Sequence, residues 1–205
     1  MGTTAIMARC TTAMKAAILV PLLVAGLTSC GSKAANDTFD ITAAPNVESN
    51  APARKRQLLV ADPSALKALD SEQVLVRVSS SEVRYLSKSQ WSDKLTRMVQ
   101  AKLVETFENT GKLDGVGKPG QGLAIDYQLV TDVRAFEIDT VGGDRGVVEI
   151  SVKLLNDRNG AVKAQKVFSA SEPASGSSNE AYIRALDRAF GRVSSEIVTW
   201  TLTQI

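Results

Sequence analysis

Apolar residues recur along this chain at changing intervals, and the changes mark its parts. From Ala16 to Leu27 they are nearly continuous (AAILVPLLVAGL), and small polar residues take over at Thr28. Gln57 to Val60 and Val74 to Val78 are short runs rich in Leu and Val, as in β-strands. The Asp62-Pro63 turn and one helical turn through Leu66 and Leu69 separate them. Trp91, Leu95, Met98, Val99, Leu103 and Phe107 then repeat at helical spacing, which predicts a long amphipathic helix. Ser89 is its expected N-cap, Asp93 falls in its first turn, and Gly111 is its expected end.

From Leu123 to Ile138 the pattern returns to a strand, alternating less cleanly. Val147 to Leu155 and Ala161 to Ala170 read as the arms of a hairpin across Asn156-Asp157-Arg158-Asn159-Gly160, a strong turn sequence. The loop Ser171 to Ser178 leads to a second helix, for which Ser177-Ser178-Asn179-Glu180 fits a capping box. Its stripe is Ile183, Leu186, Phe190, Val193, Ile197 and Trp200. Both stripes read as core-facing. The expected fold is α+β: an antiparallel sheet with two long amphipathic helices packed on one face.

The first apolar run has a different meaning. Met14-Lys15 before AAILVPLLVAGL is a short positive start and an apolar stretch of about a dozen residues, too short for a bilayer span and matching a secretory signal peptide. Leu27-Thr28-Ser29-Cys30 resembles the bacterial lipobox, with small residues that admit a peptidase and a thiol that takes a diacylglyceryl thioether. Cys30 is therefore the expected lipidation site. Acyl chains of the palmitate type contribute about 0.8 kcal/mol per buried methylene, and two or more hold stably. Residues 1–29 read as signal peptide (with Met14 and Met7 as alternative starts), 30–37 as lipidated N-terminus and tether, and 38–205 as the domain. Small polar residues continue to Arg54, with a short edge strand at Phe39-Asp40-Ile41-Thr42. Taken as one flexible tether, about 24 residues reach roughly 25–30 Å. Gly31 stands where an aspartate resembles inner-membrane retention, so the outer membrane is the expected location, with the domain facing the periplasm.

Composition then excludes functions. The chain has no histidine, which removes Ser-His-Asp and Cys-His nucleophiles and histidine metal ligands. Of 24 basic and 22 acidic residues, Arg9 and Lys15 fall in the signal segment, so the mature chain carries 24 − 2 = 22 against 22 and is formally neutral. No clustered basic face for nucleic acid follows from that balance, and Arg54-Lys55-Arg56 reads as the solvated start of a strand. Its only other cysteine, Cys10, lies in the signal segment, so no disulfide is expected.

Gly115-Val116-Gly117-Lys118-Pro119-Gly120 satisfies a dinucleotide-loop pattern but follows a helix and precedes a strand, the reverse of what the pyrophosphate needs. Asp157-Arg158-Asn159-Gly160 lacks the spacing and terminal glutamate of a calcium loop. Asp126, Asp132, Glu137, Asp139, Asp144 and Glu149 fall on strands or turns and read as surface charge. No catalytic residue, cofactor or metal is expected.

Phe39-Asp40-Ile41-Thr42, RQLLVADPSALKALDSEQVLVRV (Arg56 to Val78), YLSKSQWSDKLTRMVQAKLVETFENTG (Tyr85 to Gly111) and AFGRVSSEIVTW (Ala189 to Trp200) together resemble the ABC-type transport auxiliary lipoproteins. The resemblance covers roughly residues 38–203. It implies a non-enzymatic periplasmic domain tethered to a membrane beside an ABC transporter. The partners it implies are the permease and ATPase and an MCE-domain protein, in a system that moves lipids or other hydrophobic molecules across the envelope. Only Cys30 carries over as a functional residue; a homo-oligomer is compatible with the reading. The alternative is an outer-membrane assembly lipoprotein that chaperones or plugs a β-barrel.

Overall fold

The structure, a computed structural model, describes residues 36–44, 47 and 52–205, together with Gly2. The signal segment and Cys30 lie outside the described residues. In chain order the elements are β1 (Asp37–Phe39), β2 (Arg54–Val60), β3 (Ser64–Ala65), β4 (Gln73–Arg77), β5 (Val83–Trp91), α1 (Leu95–Thr110), β6 (Leu113–Gly117), β7 (Tyr127–Asp139), β8 (Arg145–Asn156), β9 (Val162–Pro173) and α2 (Asn179–Gln204). Among the described residues no helix is long and apolar enough to cross a membrane.

The class is α+β as the pattern predicts, but the sheet is mixed rather than antiparallel. β7 is its spine. On one side β8 pairs antiparallel along the whole strand, from Tyr127↔Asn156 to Asp139↔Arg145, and β9 pairs antiparallel with β8. On the other side β2, β3 and β4 dock on β7 one after another, all parallel, at Leu58↔Tyr127, Ser64↔Asp132 and Leu75↔Glu137. Beyond β2 lies β6, parallel to it; beyond β4 lies β5, antiparallel, and β1 runs parallel to β5. Parallel neighbours require a crossover connection rather than a tight turn. The segment containing β5, α1 and β6 returns the chain to the start of β7 and provides it.

The hairpin forms where its turn residues place it, with both arms longer than expected. Asn156 N–H donates to Ala161 O (2.9 Å), and Gly160 adopts φ +67°, a left-handed conformation that glycine takes without steric cost. Val148, Ile150, Val152 and Leu154 alternate inward from β8 and are completely buried with the α2 stripe. Phe136 stands between Trp91 (ring centroids 5.8 Å apart, edge-on) and Phe190 (5.9 Å). At Gly146 the backbone of α2 comes so close that a Cβ would lie 2.5 Å from Leu186 N.

The helix starts differ from expectation. α1 begins at Leu95, with extended Lys94 before it and no side-chain cap; Ser89 and Trp91 belong to β5. Trp91 continues the helical spacing because it is buried in the same core, although it reaches that core from a strand. Gly111 ends α1 in the left-handed conformation, its N–H donating to Glu108 O. For α2 the cap is Ser178, whose hydroxyl accepts from Ala181 N (3.2 Å). Glu180, one position short of a capping box, bonds its own N–H and the Ser178 hydroxyl, which hold its carboxyl below the usual range.

Candidate functional site

The first described residues form a strap rather than a tether. β1 covers the end of β5 in the register Asp37↔Ser89 to Phe39↔Trp91. Beyond it the chain bridges the two helices. Thr42 donates both its N–H (2.7 Å) and its hydroxyl (3.0 Å) to Asp187 on α2. Ala44 N–H donates to Thr106 on α1 (3.3 Å), and Asn109 donates to Ala44 O (3.4 Å). Ile41, 1% exposed, is a core residue. The expected strand at 39–42 thus shifts to 37–39. The tether expected to run to Arg54 is interrupted by this packing, so its reach shrinks.

The residues that resemble chemical motifs are accounted for locally. Gly115 and Gly117 lie in β6 and Gly120 in the turn after it, so no helix opens from that loop. Asp126 accepts from Gln57 N (3.0 Å) and faces Arg56 (3.7 Å). Asp132 accepts from Ser64 (2.7 Å), Asp139 from Val141 N (2.8 Å) and Asp144 from the Tyr182 hydroxyl (2.6 Å). That last bond raises the Tyr182 hydroxyl pKa above its ordinary value, since deprotonation would set two anions side by side. Glu149 faces Arg134 at 3.8 Å.

Glu137 departs from the expectation of surface charge. It is buried, paired with Arg77 through Nε and, at 3.0 Å, through Nη2. The hydrogen bond to Glu137 raises the Arg77 pKa further. Breaking such a pair from one side leaves a charge without its partner, which makes it a fixed joint between β4 and β7.

A cleft of about 660 Å³ opens beside the start of α1. It is lined by self-neutralising polar groups: Lys94 faces Asp70 (3.7 Å), Arg97 faces Asp93 (3.6 Å) and Thr96 donates to Asp70 (2.6 Å). Gln100 donates to Val60 O (3.0 Å) and Asp62 (2.9 Å). Such a lining holds the fold together and offers little to an apolar ligand. Among the described residues no group of acids has the arrangement of a metal site.

What remains for contact with other molecules is edges and ends. Among the described residues β9 pairs only with β8 and so presents an edge of 12 residues. The ends of β7, 13 residues at roughly 3.3 Å each, are about 40 Å apart. One end gathers the loop after β6 and the β8–β9 turn, joined where Asp157 N–H donates to Asp126 O. The other gathers the β4–β5 turn, the β7–β8 loop and the start of α2. There Thr140 N–H donates to Arg77 O, and Tyr182 reaches Asp144.

Residues 38–198 match the family model of the ABC-type transport auxiliary lipoprotein component. The chain belongs to that family. Among solved structures, protein XCC0632 from Xanthomonas campestris, of family DUF330, is 30% identical, with a TM-score of 0.76 over 82% of this chain and 96% of that one. Protein CT253 from Chlamydia trachomatis shares the fold at 11% identity, with a TM-score of 0.55 over 74% of this auxiliary-family chain and 98% of its own. The uncharacterized protein bll6063 of Bradyrhizobium diazoefficiens is 28% identical over 186 residues, 89% of this chain. The chain spans about half the length of that relative.

Sequence reasoning missed the strap and the Arg77–Glu137 joint. The strap had one available signal, Phe39, Ile41 and Val47 as large apolar residues among small polar ones. The joint had none, because its partners lie 60 residues apart.

Proposed function

We propose that this protein is an auxiliary component of an MCE-type ABC transport system that moves lipids or other hydrophobic molecules across the envelope. Acylated Cys30 anchors it to the outer membrane, and the domain faces the periplasm. The observation that carries the reading is the family match across nearly the whole folded domain, residues 38–198. The site geometry supports a binding role: the acids are engaged in structural bonds, and aromatic side chains fill the space between sheet and helices. The domain meets an MCE-domain protein and, through it, the permease and ATPase. It carries no cargo and performs no catalysis.

Two experiments test this. Cys30→Ser should leave an unprocessed precursor that takes up no labelled fatty acid; labelling equal to the parent would sink the lipoprotein anchor. Photocrosslinkers at Lys118 and Gln121, beyond β6, and at Lys166 on the β9 edge should trap an MCE-domain protein in cells. Trapping a β-barrel instead, with lipid transport unchanged on deletion, would select the barrel-assembly alternative. Residues 41 and 42, expected to lie on a free edge, are poor crosslinking positions because the strap buries Ile41 and ties Thr42 to Asp187.

A further inference from the structure

The strap sets which end of the domain faces the membrane. Six Cα steps separate Cys30 from Asn36, the residue before β1, so the acyl anchor lies within about 22 Å of Asn36 at full extension. Direction follows from strand pairing. β1 is parallel to β5, β5 is antiparallel to β4, and β4 is parallel to β7. The chain preceding β1 therefore enters from the end of the sheet where β7 finishes at Asp139. Asn36 itself lies level with about Phe136, so the opposite end, where β7 starts at Tyr127 beside the β8–β9 turn, is about 30 Å away along the sheet and beyond the anchor's reach.

The surface composition of the near end fits that position. Among the described residues, large apolar side chains stand exposed at Leu66, Val83, Tyr85, Val141, Val162 and Val167. Half of them, Val83, Tyr85 and Val141, belong to the near end. Val83 pairs with Arg77, and Arg77 pairs with Asp139, two residues before Val141. Val83 and Tyr85 alternate onto the same face of β5. Tyrosine beside aliphatic residues suits the bilayer–water boundary, where the ring is buried and its hydroxyl stays wet. The charges there nearly balance: Arg77, Arg84, Arg145 and Arg184 stand against Glu82, Glu137, Asp139, Asp144 and Glu180. An apolar contact results, not an electrostatic one.

We propose that the domain rests on its anchoring bilayer through this end, with Val83, Tyr85 and Val141 in the headgroup layer and the β6–β7 loop and β8–β9 turn pointing away from the membrane. The inference rests on acylation of Cys30, and the test separates the two. An acylated Cys30 leaves the mature chain without a free thiol, so single substitutions Tyr85→Cys, Val141→Cys and Asn159→Cys can each carry an environment-sensitive fluorophore. The full acylated protein is reconstituted into vesicles of phosphatidylethanolamine and phosphatidylglycerol, and flotation is measured first. At positions 85 and 141 the emission should shift to the blue and be quenched by spin-labelled lipid, and high salt should leave it unchanged. At position 159 it should match the label in water. Protein that floats with its label quenched at 159, or with labels at 85 and 141 as wet as at 159, overturns the orientation and leaves the anchor intact. Protein that fails to float overturns the anchor, and the orientation with it.

Discussion

Phe136→Ala should lower the unfolding free energy of the folded domain by about 3–5 kcal/mol, the usual cost of emptying a buried phenylalanine site. Phe136 is 1% exposed and is the shared neighbour of Trp91, the last residue of β5, and Phe190, in the middle of α2. Its ring therefore joins the spine of the sheet to a neighbouring strand and to a helix. Those neighbours hang on different elements with their own hydrogen bonds, so they have little freedom to collapse into the space. Urea unfolding of residues 36–205, with the parent and the variant compared at equal slope, measures the effect. A loss below about 1 kcal/mol would mean that the site closes easily and that the aromatic group is not a joint.

The second large effect comes from adding a single carbon. Gly146→Ala places a Cβ 2.5 Å from Leu186 N, 2.6 Å from Ala185 C and 2.9 Å from Ala185 O. All three are backbone atoms, so no rotamer change relieves the overlap and α2 itself must move off β8. Overpacking of this kind costs about 1–3 kcal/mol, with the upper end expected when a helix is displaced. Gly191→Ala is the matching control. It lies within α2, its added Cβ meets nothing within 4 Å, and alanine favours a helix over glycine by about 1 kcal/mol. The same substitution should thus destabilise at 146 and stabilise at 191, read as opposite shifts in the urea midpoint. Equal shifts at both positions would refute the close approach of α2 to β8.

Features that depend on nearby residues could be read from the chain. The turn from Asn156 to Gly160 is written in its own side chains, and the α2 stripe needs only one helix and one core. Gly111 closes α1 as its position suggests. The start of α1 was misread because periodicity reports burial, and Trp91 is buried into the helix-facing core from the end of a strand. Parallel docking of β2, β3 and β4 on β7 was not legible, since each run shows only that it is a strand and not the direction of its partner. The strap was hidden by composition. Its small polar residues look like a linker, and its fixed path comes from pairing with β5 and from contacts with Asp187, Thr106 and Asn109, all more than 50 residues later. For the candidate site the limit was similar. The chain displays acids and glycines, while the bonds that occupy Asp126, Asp132 and Glu137 arise from residues remote in sequence.

The strap also determines how the domain bears force. Tension drawn through residue 36 along the sheet loads the hydrogen bonds between β1 and β5 together, in shear, instead of opening them one at a time. Should β1 slip, the load passes to Ile41 in the core and to the Thr42–Asp187 bonds on α2 before any strand of the β7–β8–β9 group is pulled. Resistance to forced unfolding is a matter of unfolding rate rather than equilibrium stability. The β1–Thr42 segment acts as a mechanical clutch, standing between a pulled N-terminus and the sheet it would otherwise unravel.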